Sequence, residues 1–341
     1  MNKAARIQDV AEAAGVSTAT VSRALSNPDL VTETTRKAVF EAVRTTGYRV
    51  NRAAQNLRKQ RAGAVLVLVP NLGNPFFSQI LAGISAGFSG TDYSVLIADT
   101  WDEEGREKVL VDYFRDSRID GMISLDGNLT KSDLALFARE GVEDRIVFAC
   151  EWVQGAPYPS VRSDNEKGAR LAVRHLYDLG HRDIAHVTGP KGNMLTRMRR
   201  QGMMVEREEL GLAVRDEWVI RGDFSLHSGH RAAESILSMS NRPTAVFCAS
   251  DMVAFGMIAG LTSGGLSVPN DISVVGFDDI QMSEFYVPAL TTIRQHRREI
   301  GSRAAGNLLK RLEKAESSGD VSPELVDVEL VVRASTSVPP R

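Results

Sequence analysis

IQDVAEAAGVSTATVSRALSNP, residues 7–28, sets how the chain begins to fold. Ile7, Val10, Ala11 and Ala14 recur at i, i+3, i+4 and i+7, the spacing of one buried helical stripe. Gly15 ends that helix, because glycine accepts the left-handed backbone of a tight turn, and Ser17 is placed to cap the next one through the free amides of its first turn. The second helix is expected over about Thr18 to Leu25. Val21, Ala24 and Leu25 face the first helix, which leaves Thr18, Ala19, Ser22 and Arg23 pointing outward. A third helix follows Thr32, over Thr35 to Thr46, with Val39, Ala42 and Val43 on one face and Gly47 as its stop.

Two short helices joined by a glycine turn and backed by a third make a helix-turn-helix, whose second helix enters the DNA major groove. Small Thr18 and Ala19 can approach base edges and thymine methyls, and Arg23 can offer two donors to guanine. The charge distribution agrees. The whole chain of 341 residues has a net charge of −2, but residues 1–61 hold eleven Lys or Arg against five Asp or Glu, a net +6, and the other 280 residues are net −8. A basic end on an acidic body is the footprint of a DNA-binding segment rather than of a plain three-helix bundle.

Further along, the texture changes. AVLVLV (64–69), YSVLIAD (93–99), GMISL (121–125) and RIVFAC (145–150) read as strands, separated by amphipathic segments such as FFSQILAGISAGF (76–88). SVRSD (160–164), DIAHVTG (183–189), WVIRGD (218–223), TAVFCAS (244–250) and ISVVGFDD (272–279) form a second series with helices between them. Continuous apolar strands alternating with helices imply parallel sheets covered on both faces, so two series imply an α/β core of two doubly wound lobes. Such sheets bind ligands at the carboxyl ends of their strands. Asn71, Asn74, Asp126, Asp164, Asp251 and Asp278 all fall there, although each is also a residue type that caps helices and forms turns.

Residues 7–28, together with VTETTRKAVFEAVRTTGY (31–48) and NRAAQNLRKQ (51–60), resemble the headpiece of the lactose-repressor family of bacterial transcription regulators. NPFF, IDGMIS, SDNEKGA, LGHRDIAHVTGP, GLSVPNDISVVGFDD and PALTTI carry the resemblance through the body. It implies a DNA-binding domain over 1–49, a hinge helix or linker over 50–62, and a core over 63–341 that is similar to periplasmic binding proteins. In that core, lobe 1 is about 63–161 and 293–323, and lobe 2 about 162–292 and 324–341.

DNA contacts are then expected from Ser17, Thr18, Ala19, Thr20, Ser22 and Arg23, and from Asn51, Ala54, Leu57 and Arg58 in the hinge. Leu57 falls where the family wedges a leucine into the minor groove, which unstacks base steps at a cost of a few kcal/mol and bends the duplex. The family usually has proline after the tyrosine, whereas here Tyr48 is followed by Arg49, Val50 and Asn51. The effector is expected in the cleft. There the resemblance puts Phe76 and Phe77 at the border, Asp164 on a hydroxyl, Arg199 three residues before Gly202, Phe224 stacked on the ligand, and Asp278 accepting hydrogen bonds, with Asp126, Asn193 and Asp251 as further candidates. Carboxylates, an arginine and aromatic faces suit a sugar. A nucleoside or purine would fit the same groups.

The partners implied are double-stranded operator DNA, a small-molecule effector and a second copy of the chain, since a two-fold dimer on a near-palindrome presents two recognition helices to successive major grooves. No reaction is expected. GISAG (83–87) spells the hydrolase elbow G-x-S-x-G, but a helical stripe through Phe77, Ile80, Leu81, Ile84 and Phe88 runs where that motif needs a strand. Neither a dinucleotide nor a P-loop cradle occurs, so no cofactor is expected. His227 and His230 lie three apart with no third ligand in reach, so no metal is expected. Asp9 and Glu12 interrupt any secretory apolar run, no stretch approaches the ~18 apolar residues of a membrane span, and Cys150 and Cys248 sit in apolar runs. These features point to the cytoplasm. A stand-alone sugar-binding protein would share the lobes but would need a signal peptide and have no use for the first 61 residues.

Overall fold

The three helices at the N-terminus form where caps and glycine stops dictate. The computed structural model describes residues 5–49, 56, 61–100, 106–213, 215–313 and 321–340, so the hinge candidates Asn51, Ala54, Leu57 and Arg58 lie outside the described residues. The chain divides into two units between Ala62 and Gly63. In the first, α1 is Ile7–Ala14, α2 Thr18–Ser26 and α3 Glu33–Thr46. Gly15 turns the chain at φ 65°, and Ser17 Oγ accepts from the Thr20 amide at 3.1 Å. Thr32 caps α3 through the Thr35 amide at 3.3 Å, so the helix starts at Glu33 rather than Thr35, and Gly47 stops it at φ 67°. Val10, Ala11, Val21, Ala24, Val39 and Ala42 make the core of this unit. Fully burying each valine contributes about 1.5–3 kcal/mol, which three short helices need because their propensity alone would not hold them.

The second unit carries two six-stranded sheets. The first is built from β1 (Ala64–Val69), β2 (Ser94–Asp99), β3 (Gly121–Ser124), β4 (Ile146–Ala149), β5 (Ser160–Ser163) and β11 (Pro323–Val326), in the order β11-β5-β4-β3-β1-β2. The second has β6 (Ile184–Val187), β7 (Val219–Ile220), β8 (Ala245–Cys248), β9 (Ser273–Asp278), β10 (Thr291–Gln295) and β12 (Val328–Val331), in the order β12-β10-β9-β8-β6-β7. Every pairing is parallel except β10 with β12. The SVRS strand therefore belongs to the first sheet, where Ser160 and Val161 pair with Phe148 and Ala149 of β4, rather than to the second series. Its burial fits either sheet, and only the pairing decides.

The chain crosses between lobes three times, at 163–165, 295–297 and 326–328. β5, β10 and β11 thus run two or three residues beyond the crossings expected at 161, 293 and 323. Helices cover both sheets: α4 (Phe77–Gly87), α5 (Arg106–Arg115), α6 (Lys131–Arg139), α7 (Asn165–Asp178), α8 (Met194–Glu209), α9 (Leu226–Ser238), α10 (Asp251–Ser263), the short α11 (Met282–Phe285) and α12 (Arg297–Glu313). On the first lobe α4 and α12 touch backbone to backbone. A Cβ on Gly83 would lie 2.1 Å from the Arg298 carbonyl oxygen, and one on Gly301 2.0 Å from that of Ile80. The glycines of the elbow-like G-x-S-x-G serve this packing, and Ser85 sits exposed in the middle of α4.

Candidate functional site

In the helix-turn-helix unit, α2 turns Val21 and Ala24 into the core and leaves Ser17, Thr18, Ala19 and Arg23 exposed, with Thr20 and Ser22 half-buried. Ser17 and Thr20 also share a hydroxyl hydrogen bond of 2.9 Å, which stiffens the first turn. A small, polar first turn followed by an arginine is a surface that can approach base edges.

Within the second unit, the carboxyl ends of the strands of both lobes face a cavity of about 670 Å³. That lies in the usual range of small-molecule sites. Lobe 1 supplies Asn71 and Asn74 from the loop after β1, Phe77, Thr100 after β2, Asp126 and Asn128 after β3, and Glu151 after β4. Lobe 2 supplies Asn193, Asp223, Phe224, His227 and Met252. Asp126 is buried, and its two oxygens accept from Thr100 Oγ1 at 2.6 Å and from the Asn128 amide at 2.8 Å. Across the cleft, Asn193 caps α8 by accepting from the Thr196 amide at 3.1 Å, and its Nδ2 donates to Glu151 Oε2 at 2.9 Å. This hydrogen bond is one of those that join the two lobes. Burial pushes the Glu151 carboxyl up to about 7, against the pull of the Asn193 bond and with Asp126 adding to the rise.

Below this cavity lies a chamber of about 30 Å³, bordered by Phe76, Phe77, Phe224, Arg199 and Asp278. Arg199 is 2 % exposed. Its Nε donates to Asn165 Oδ1 at 2.9 Å, its Nη1 donates to the Ala249 carbonyl and lies 3.6 Å from Asp278 Oδ1, and its guanidinium stacks 3.8 Å from the Phe277 ring. Burial holds its pKa below the usual arginine value, with Asp278 opposing that shift. Asp278 also accepts from Gln295 Nε2 at 2.6 Å, and burial pushes its carboxyl up to about 7 while Arg199 pulls it down. Phe224 and Asp278 both have left-handed backbones, φ 66° and 126°. Phe224 is seated over Gly189, where a Cβ would be 2.2 Å from its ring.

The structure therefore brings together Phe76, Phe77, Asp126, Asn193, Arg199, Phe224 and Asp278. Asp164 and Asp251 are not among the residues that border either space. Asp164 is the cap of α7 and accepts from the Lys167 amide at 3.0 Å. Asp251 is fully buried and ties α10 to the segments around it, accepting from the Ile280 amide at 2.9 Å, Ser283 Oγ at 2.6 Å and Thr292 Oγ1 at 2.5 Å. A carboxylate with three donors already satisfied has little left to offer a ligand. Glu151, Thr100, Asn128, Asp223 and His227 were missed, although Glu151 and Thr100 sit just beyond strands and the strand-end rule could have found them. Among the described residues no cluster of three or more His, Cys, Asp or Glu is arranged to hold a metal ion, and no helix is long and apolar enough to cross a membrane.

Two family models match the chain: one described as bacterial regulatory proteins, lacI family, over residues 6–51, and one described as a periplasmic binding protein-like domain over 173–336. The HTH-type transcriptional repressor CytR of Escherichia coli K12 is 38% identical over 337 residues, covering 99% of this chain and 98% of that protein. Among solved structures, the lac repressor dimer bound to operator and the anti-inducer ONPF is 32% identical with a TM-score of 0.84, covering 98% of this chain and all of that one. A regulator from Enterococcus faecium with bound ribose is 27% identical with a TM-score of 0.72, covering 81% of this chain and 99% of that one.

Proposed function

We propose, since this chain belongs to the lacI family of bacterial regulatory proteins, that an uncharged sugar in the cleft between its lobes controls how tightly it holds operator DNA. The chain is a DNA-binding transcriptional regulator and not an enzyme. The observation that carries the effector class is the lining of the cleft. Among the described residues of that lining, Asp126, Glu151, Asp223 and Asp278 stand against a single arginine, whose guanidinium already serves Asn165, Ala249 and Asp278. Hydroxyl groups donate to carboxylates, and Phe77 and Phe224 offer faces to the apolar side of a ring. A phosphate would meet repulsion and no free donor fork. The ribose-bound relative supports the same class. A nucleoside is the second reading, favoured by the two aromatic rings, which would also hold a flat base.

The test is the melting temperature of the purified protein with D-ribose, cellobiose, adenosine and D-ribose 5-phosphate. A bound ligand at a hundred times its Kd adds about 2.7 kcal/mol of stability. We expect a rise with a neutral sugar and none with the phosphate. A rise with adenosine alone would replace the sugar by a nucleoside, and a rise with the phosphate alone would sink both. Titrating the active compound against operator DNA then separates an inducer, which lowers affinity, from a corepressor, which raises it.

For DNA, the reading assigns Thr18, Ala19 and Arg23 to base edges, with Ser17, Thr20 and Ser22 as the frame of the first turn. The regulator works in the cytoplasm as a dimer on a near-palindromic operator, as the lac repressor structure is of a dimer on its operator. Arg23→Ala should cost about 1–3 kcal/mol at one base pair and relax selectivity there. Selection from random DNA would show that relaxation at symmetric positions in both half-sites. An unchanged preference would remove Arg23 from the base contacts, and a single half-site would count against the dimer.

A further inference from the structure

We infer that Arg297 is a positioning residue of the effector response, fastening together the two loops that face each other across the chamber. The inference deepens the proposed effector control of the cleft and rests on it for its functional meaning. Arg297 opens α12, directly after the second crossing between lobes, and α12 is packed on lobe 1 through Gly301 and Ile80. Its side chain is 7 % exposed. Nη1 donates to the Phe76 carbonyl at 3.0 Å, and Nη2 donates to the Asp279 carbonyl at 2.9 Å.

Those two carbonyls belong to the two walls. Phe76 begins the segment whose rings border the chamber from lobe 1, and the Arg297 guanidinium lies 5.7 Å from its ring. Asp279 follows Asp278, the carboxylate of the lobe 2 wall, and both have left-handed backbones, φ 126° and 51°. The Asp279 carboxylate is itself fixed to lobe 2 by Arg294 Nε at 2.6 Å and Arg333 Nη2 at 2.7 Å. A ligand that shifts Phe76 or Asp278 therefore pulls on the same guanidinium, and through it on the opposite lobe. The planar fork of arginine reaches two carbonyls at once, which the single ammonium of lysine does not do in fixed geometry.

A buried arginine can also be purely structural, and Arg207 provides that comparison. It is as buried, but its Nη2 serves Ile184 and Ala213 carbonyls at 2.9 and 3.0 Å, both within lobe 2. The experiment is amide hydrogen exchange on the ligand-free full chain of the wild type, Arg297→Met and Arg207→Met, read by mass spectrometry over residues 74–80 and 278–283. In Arg297→Met both segments should exchange about tenfold faster or more, as local opening loses one hydrogen bond on each side. Arg207→Met should leave both within about twofold of wild type. Arg297→Lys keeps the charge and guards against a variant that fails to fold, and it should release one segment and hold the other. Unchanged exchange at both segments in Arg297→Met, or equal acceleration in Arg207→Met, would overturn the inference.

A second measurement ties the result to function. With whichever of D-ribose, cellobiose or adenosine raises the melting temperature, the fold-change in operator affinity should shrink about fivefold or more in Arg297→Met. A fold-change equal to wild type would overturn the functional half of the inference. If none of the compounds acts on the wild type, the effector reading fails, while the exchange data still decide whether Arg297 joins the walls.

Discussion

Replacing Arg199 by methionine is expected to lower the stability of the second unit by about 3–5 kcal/mol, the cost of breaking a buried ion pair from one side. Methionine approximates the length of the arginine stem but provides no donors. Two acceptors then lose their partner, Asn165 Oδ1 and the Ala249 carbonyl, and Asp278 loses its counter-charge while keeping the Gln295 hydrogen bond. Each buried acceptor left unpaired costs about 1–3 kcal/mol. The Asp278 carboxyl, already pushed up to about 7, would rise further and become neutral, which limits its share of the loss. The response to effector should disappear as well, since Arg199 and Asp278 border the chamber together. Adding Asp278→Asn to Arg199→Met should restore part of the stability, because it removes a buried carboxylate that has lost its counter-charge. Chemical denaturation of the two singles and the double closes that cycle. A loss below about 1 kcal/mol with effector response intact would mean that Arg199 is neither a structural nor a binding group, a result typical of surface substitutions.

How much of this was readable in the residues depends on how local the cause is. The helix-turn-helix rests on caps, stops and stripes within forty residues, and Ser17, Thr32, Gly15 and Gly47 act in the structure as their positions implied. The strand-and-helix rhythm gave the two lobes for the same reason. What failed was anything set by pairing at long range. SVRS reads as a buried strand in either sheet, and β11 and β12 meet their partners across more than thirty residues or even 160, with β11 mostly exposed and carrying no alternation. Site residues divide similarly. Asp126, Asp164 and Asp251 all lie close to strand ends, yet one faces the cleft, one caps a helix and one ties three segments together. Residue type and position along a strand do not say where a carboxylate turns. Glu151 shows the converse, a strand-end carboxylate whose role is visible only once the fold sets Asn193 against it across the cleft.

Protonation of Glu151 is expected to stabilise the core as the pH falls from 8 to 5, against an opposing loss from His175, His181 and His186, whose burial disfavours the charged imidazole. The Glu151 carboxyl titrates at about 7 in the folded chain against an ordinary 4.5, because burial disfavours the charge more than Asn193 and Gly127 favour it. The folded state therefore holds the proton at pH values where the unfolded chain has released it. The resulting stability is fully present below 4.5 and is lost as the pH rises through 7, which amounts to about 2 kcal/mol between pH 5 and 8 at about 1.4 kcal/mol per unit. Asp278 adds in the same direction, so the wild-type profile alone does not isolate Glu151. Glu151→Gln does. Asn193 Nδ2 and the Gly127 amide both donate to the same oxygen, Oε2, so a glutamine can present its carbonyl there and its amide where the protonated carboxyl carries its O–H. The variant should match wild type near pH 5 and exceed it by about 2 kcal/mol at pH 8, read from melting curves across that range. Parallel profiles would mean that Glu151 is ionised throughout, and the Asn193 bond across the cleft would then be a charged one that strengthens rather than fades above neutrality.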